Sequence, residues 1–292
     1  MLGHASFLNS NITHFLFLFH VPLFFFISGY LEKVEPCLEK EYLKKIFFSL
    51  IVPYFIWNIL FVPFHLSLKS FGLLLLGLQR WNGASWFLVV LVFLKINFLF
   101  YKNKKYVIGG LVSILLLGLH FCGNNLPYLI NLTFMFLPFF FVGMYGKKIL
   151  NVIYGILIGK TVWKVVLSLI SFSLLLLVYR YMPVEHTNAV SRFAPHFYLF
   201  WISGFLGIFG VFFICLCFAT LPKFIIVVST STLFIMCSHY ELFRFLTPRI
   251  SNGYGDLATF FFVCLFFMCQ SYFSQFVLKY IPILAGRKKR KK

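Results

Sequence analysis

The feature that most constrains this chain is its repeated long apolar run. FYLFWISGFLGIFGVFFICLCF at 197–218 carries no charge at all, and comparable runs recur along the sequence. A helix of about 18–20 such residues crosses the hydrocarbon of a bilayer while satisfying its own backbone polar groups. Barrel strands alternate over about ten residues, which these runs do not. The chain therefore reads as all-α, a polytopic transmembrane helix bundle. The spans fall near 13–30, 46–66, 84–101, 106–121, 126–146, 162–182, 197–219, 224–246 and 256–280, nine in all. Two further runs, 70–78 and 149–159, are too short to cross and suit the membrane interface. Only 11% of the 292 residues are charged and 61% are hydrophobic, which no soluble surface of this size accommodates. No long polar stretch, linker or repeat interrupts the pattern, so 1–292 reads as a single integral membrane domain. Residues 281–292 read as its basic tail.

The formal net charge is +19. In a soluble protein that balance points to nucleic acid. Here the basic residues lie between spans, which is a topology signal, and no nucleic-acid partner is expected. The loops 31–45, 102–105, 147–164 and 220–223, with the segment after 280, hold 18 Lys and Arg; the opposite loops hold 6. The basic side is expected to be cytoplasmic, so the C-terminus lies inside and, with nine spans, the N-terminus outside. The closing RKKRKK, 287–292, reads as an anchor beside anionic lipid rather than a nuclear signal. The first run lacks a basic leader and a cleavage site, so it is not read as a signal peptide. The seven cysteines form no CxxC, which argues against a metal site or a disulfide framework.

Polar groups inside spans are costly and are candidates for chemistry. His20 lies mid-span, two residues before Pro22, whose missing N–H kinks a helix and frees a carbonyl. The histidine either hydrogen-bonds that region or a neighbour, or it lines a polar cavity. His239 and Glu241 lie in STSTLFIMCSHYELF, where Ser229, Thr230, Ser231 and Thr232 suit capping or packing. Lys95 sits two turns from the inner end of its span and suits snorkelling. Trp57, Trp81 and Trp86 suit an interfacial belt. Lys44 and Lys45 open the second span from the basic side, as a topology signal or as an anion site. No phosphate loop, dinucleotide glycine pattern or HExxH is present.

GHAS at 3–6 is followed by FHVPLFFFISGYL at 19–31, YLKKIFFSLIVPYFIW at 42–57, GASWFLVVLVF at 83–93, LPFFFVGMYGKKI at 137–149 and STSTLFIMCSHYELF at 229–243. In that order these segments resemble the bacterial acyltransferase 3 family, in particular its fucose 4-O-acetylase-like branch. The resemblance implies an integral membrane O-acyltransferase of ten helices in the bacterial cytoplasmic membrane. It implies acetyl-CoA (or another acyl-CoA) as donor, a cell-surface or lipid-linked glycan as acceptor, and no metal. The family's first-helix histidine maps onto His4, implied as the catalytic base. The basic residue that precedes it in the family has no counterpart here, so the first helix is expected to be truncated. Lys44 and Lys45 map onto the basic motif entering the third family helix, where arginine is more usual. Pro53 and Tyr54 continue that match, and Trp86 and His239 match more loosely.

Histidine suits the chemistry, because esterifying a hydroxyl needs a base near neutral pH. On this reading His4 takes the hydroxyl proton, with support from His239, Glu241 or His20; Glu185, Glu241 or Asp256 orients the imidazole. Lys44, Lys45 and Lys95 meet the donor phosphates at an inner mouth, and Tyr54 and Trp86 line the pocket. Two other readings stay open from the sequence: a transporter or flippase of glycan precursors, and an inactive truncated acyltransferase.

Overall fold

The computed structural model describes residues 10–33, 38–61, 68–75, 83–121, 128–181, 197–218, 220, 223–239 and 256–286. Every regular element among them is helical. In order these are α1 (Ser10–Phe17), α2 (His20–Tyr30), α3 (Glu39–Ile46), a π-turn (Phe47–Ile51) and α4 (Val52–Ile59). Then come α5 (Leu68–Leu75), α6 (Trp86–Lys102), α7 (Tyr106–Phe121), α8 (Tyr128–Tyr145), α9 (Lys147–Leu157), α10 (Thr161–Tyr181) and α11 (Phe197–Cys215). The series closes with α12 (Lys223–Thr230), α13 (232–239), α14 (Asp256–Tyr280) and a 3-10 turn (Pro282–Ala285).

Each of the nine expected spans has helix in it, but several are interrupted. Two described helices, Thr161–Tyr181 and Tyr198–Cys215, are long and apolar enough to cross a membrane unaided. Leu132–Tyr145 and Lys147–Leu157 qualify as a pair bent by 60°. The short run at 70–78 overlaps α5, and 149–159 overlaps α9, beyond that bend.

The interruptions have local causes. Pro22 cannot donate to the Leu18 carbonyl, and α1 ends one turn earlier, with Leu18 and Phe19 donating only three residues back. Pro53 likewise leaves the Ser49 carbonyl without its helical donor. The chain widens there into the π-turn, where the Val52 N–H reaches the Phe47 carbonyl. Between α12 and α13, Ser229, Thr230 and Thr232 all turn their hydroxyls back onto carbonyls three or four residues earlier. Such back-bonding competes with the helical ladder. The ladder slips at Ser231, whose N–H donates to Val228 only three residues back. Of the hydroxyls expected to cap or pack, those of Thr230 and Ser231 also meet a neighbouring helix, accepting from Gln275 of α14.

The chain divides into two compact units that interleave in sequence: residues 11–36 with 110–221, and residues 37–109 with 222–292. The first, which we call the aromatic unit, holds α2 and α8–α11. Helices α2 and α8 cross where Gly29 meets the Phe140 backbone and Gly143 meets the Phe26 backbone. A Cβ at either glycine would overlap the facing carbonyl, so this reciprocal approach admits only glycine. Phe25 stacks on Phe136 at 4.4 Å, and Phe139, Phe140 and Phe200 are wholly buried around them. Ser168 of α10 donates to the Gly210 carbonyl of α11 at 2.9 Å, and Trp201 donates to the Met135 carbonyl at 3.0 Å.

The second, polar-seamed unit joins α3, the π-turn, α4, α6 and α12–α14. The N-terminus of α3 is pinned to the turn after α6, where Glu39 accepts from Lys105 at 2.7 Å and Asn103 at 3.1 Å. Those hydrogen bonds, Lys105 first, hold the Glu39 carboxyl below its ordinary pKa. The first residues of the expected 281–292 tail are described. Pro282–Ala285 fold back onto α4, where Trp57 Nε1 donates to the Leu284 carbonyl at 3.0 Å. Gly286 follows in the left-handed region (φ 65°), against the Ser49 backbone that Pro53 leaves open. The RKKRKK segment lies outside the described residues.

Candidate functional site

The polar-seamed unit gathers most of the described residues that the sequence singles out. Lys44 and Lys45 lie in the last turn of α3, both exposed. Lys95 lies on α6, two turns before Lys102 and so on nearly the same face. Lys102 is buried, with its ammonium 5.0 Å from the Tyr42 ring of α3. Tyr54 is buried, and its hydroxyl donates to the Leu74 carbonyl at 3.2 Å, tying α5 to α4. Trp86 opens α6 and is half-buried.

Beneath Tyr54 and Trp86 lies a pair that sequence reasoning missed. Asn58 and Ser85 are both 0% exposed. The Asn58 Nδ2 donates to the Tyr54 carbonyl at 2.7 Å and to Ser85 Oγ at 3.1 Å. Ser85 stands at the N-cap position of α6, yet its hydroxyl makes no capping bond and lies 3.4 Å from Asn58 Oδ1 instead. A favourable cap, worth about 1 kcal/mol at such a position, is replaced by a polar link between α4 and α6.

His239 closes α13 and is buried. Its Nδ1 lies 2.9 Å from the Ile235 carbonyl, which can only accept, so Nδ1 carries the proton. That tautomer leaves Nε2 as the basic nitrogen of the neutral ring. On the facing surface of α14, Gln270, Ser271, Ser274 and Gln275 form a stripe of uncharged polar residues at helical spacing. Gln275 Nε2 donates to the Val227 carbonyl at 3.1 Å and to Thr230 Oγ1 at 2.7 Å, tying α14 to the end of α12. Gln270 Nε2 donates to Ser238 Oγ at 2.7 Å, one residue before His239. The signal for this stripe was present in FFMCQSYFSQF, as glutamine inside an apolar span, but neither residue is ionisable and neither was singled out.

His20 belongs to the aromatic unit. Its Nδ1 donates to the Leu16 carbonyl at 2.7 Å, and Phe17 lies against its ring at 5.1 Å. Of the two readings open from the sequence, this is the hydrogen bond to the kinked region: the ring bridges the break between α1 and α2. His4, Glu185 and Glu241 lie outside the described residues, as does the side chain of Asp256.

A family model described as an acyltransferase domain matches residues 1–274 of this chain. The match is to the family as a whole and singles out no branch within it. No curated protein and no solved structure matches the chain.

Proposed function

The chain belongs to the acyltransferase 3 family of membrane acyltransferases, and from that premise we propose that it transfers an acetyl group from acetyl-CoA to a hydroxyl of a cell-surface or lipid-linked glycan. The observation that carries the reading is the family match, which runs from the segment containing His4 to Ser274 in α14. In the proposed reaction the acceptor hydroxyl oxygen attacks the thioester carbonyl carbon while His4 takes its proton. The C–S bond then breaks, and the CoA thiolate recovers that proton from the imidazolium. The products are the acetyl ester and free CoA.

The other residues take supporting roles in this reading. His239, with Nδ1 held by Ile235, offers Nε2 to a hydroxyl or to the proton in transit. Lys44 and Lys45 are exposed at the end of α3 and present cations to the donor phosphates, with Lys95 deeper on α6. The excess of Lys and Arg in the loops on that side supports a cytoplasmic mouth, and the proposed acceptor is then met on the outer face of a bacterial inner membrane. His20 makes the same bond to a carbonyl four residues back as His239 does, so in this reading the preference for His239 rests on the polar seam beside it, and His20 is left to the α1–α2 break.

The test is acyl-CoA-dependent transfer of labelled acetate in membranes with and without the protein. His4→Ala is expected to cost about 100- to 10,000-fold at normal membrane abundance. Activity within threefold of wild type sinks the assignment. Replacing Lys44 and Lys45 together by Ala is expected to raise KM for acetyl-CoA more than KM for the acceptor, and Glu at both positions to do worse.

A further inference from the structure

Gln270 lies in the α13–α14 seam. It is 6% exposed, and its Oε1 is wholly buried with no hydrogen-bond partner among the described residues. The orientation of the amide follows from its neighbour. Ser238 Oγ donates its one hydrogen to the Phe234 carbonyl at 2.7 Å, so toward Gln270 it acts as acceptor. Nε2 must therefore face Ser238, at 2.7 Å, and Oε1 must face away. Gln275, five residues on, spends its amide donors on the end of α12 and leaves no buried orphan among the described residues. A buried carbonyl oxygen without a donor costs about as much as a hydrogen bond is worth, and such atoms in folded proteins call for an explanation. An apolar side chain of the same length would avoid that cost while still filling the space.

We infer that Gln270 is a substrate-positioning residue whose Oε1 accepts a hydrogen bond from a neutral O–H or N–H of a bound substrate. Three features favour a neutral donor. Its side-chain partner Ser238 is uncharged, as are Ser271 and Ser274, the buried polar residues that follow it on α14. The amide is locked by Ser238, so the acceptor is pre-aimed and loses little freedom on binding. Ser238 also immediately precedes His239, so the same turn of α13 sets the amide and the imidazole. The inference rests on the acyltransferase reading, which supplies two sources of this chemistry: a hydroxyl of the acceptor, and an amide N–H of the pantetheine arm of the donor.

Gln270→Met keeps the length and removes the acceptor, while Ser238→Ala removes the lock. One neutral hydrogen bond corresponds to about a three- to tenfold change in binding. Gln270→Met is therefore expected to raise KM for one substrate by that factor while the melting temperature in detergent is unchanged or higher. A rise confined to the acceptor identifies the hydroxyl, and one confined to acetyl-CoA identifies the pantetheine amide. A lower melting temperature with both KM values unchanged overturns the inference, since it makes Gln270 a packing residue only. A second measurement does not depend on turnover: thermal stabilisation of purified wild type and Gln270→Met by coenzyme A and by neutral methyl glycosides. One ligand should stabilise the wild type and lose most of that effect in the variant. Equal stabilisation of both proteins, or none of either by any ligand, overturns the role of Gln270. Ligand stabilisation lost in the variant, together with no transfer by the wild type, overturns the reaction and leaves the Gln270 site standing.

Discussion

The two units solve the same problem with different materials. In the aromatic unit α2 and α8 meet through a reciprocal pair of glycines and a stack of phenylalanines. In the polar-seamed unit α4 meets α6 through Asn58 and Ser85, and α13 meets α14 through Ser238 and Gln270. Helices in lipid gain little from burying apolar surface against each other, because the tails are equally apolar. Close packing and interhelical hydrogen bonds are the two remaining sources of adhesion, and each unit relies mainly on one. Packing alone holds helices without exposing chemistry. Hydrogen-bonded seams put hydroxyls, amides and imidazoles inside the bundle, where a reaction can use them. His239 and Tyr54 lie in the second unit, as do Lys44, Lys45 and Trp86, whereas His20 lies in the first, where it bonds back across a helix break.

The contrast is sharpest in activity. His239→Ala is expected to lose about 100-fold in acetyl transfer, with a melting temperature close to wild type, if Nε2 holds the substrate proton. An equal loss from His20→Ala at equal yield would break the division of labour. Next in size is the glycine crossing. Gly143→Ala forces a methyl into the Phe26 backbone, and overpacking of this kind costs about 1–3 kcal/mol. The expected outcome is less folded protein in detergent but unchanged activity per folded molecule.

A smaller effect separates the two kinds of adhesion directly. A double-mutant cycle on Asn58 and Ser85 is expected to give a coupling of about 1–3 kcal/mol, since either single substitution strands a buried polar partner. The same cycle on Phe25 and Phe136 should give about 0.5–1.5 kcal/mol. Coupling in the reverse order would mean that the seam is not what holds α4 to α6.

The smallest effect lies outside the membrane, at Glu39. Its folded pKa is below the ordinary value of 4.5, so its pairing with Lys105 stabilises the fold above that value. The contribution fades as pH falls through the lowered folded pKa. Glu39→Gln should therefore melt slightly below wild type at neutral pH, and the gap should close in acid. Because the carboxylate is solvent-exposed, added salt should close it too.

The spans were legible because run length is a one-dimensional property, and α10 and α11 stand within a few residues of where hydropathy put them. Pro22 announced its kink, but the break falls a turn earlier, at Leu18 and Phe19, because the carbonyl that loses its donor belongs to residue i−4. The site was legible only in its ionisable members. Asn58 and Ser85 are 27 residues apart and Gln270 and Ser238 are 32 apart, and nothing local in either segment names its partner. The 3-10 turn was hidden for the same reason: Leu284 is recognised by Trp57, 227 residues away.

That long-range clasp sets an order of events during synthesis. The aromatic unit has all its elements once residue 221 has emerged, whereas the other still lacks α12, α13, α14 and the turn that closes on Ser49. At a translation rate of about 5–20 residues per second, the interval from residue 221 to residue 286 lasts roughly 3–13 s. For that time α3, α4 and α6 have only the contacts they make among themselves, including Asn58 with Ser85, Tyr42 with Lys102 and Glu39 with Lys105. The Asn58–Ser85 link is thus among the contacts that do not depend on the last residues to be made.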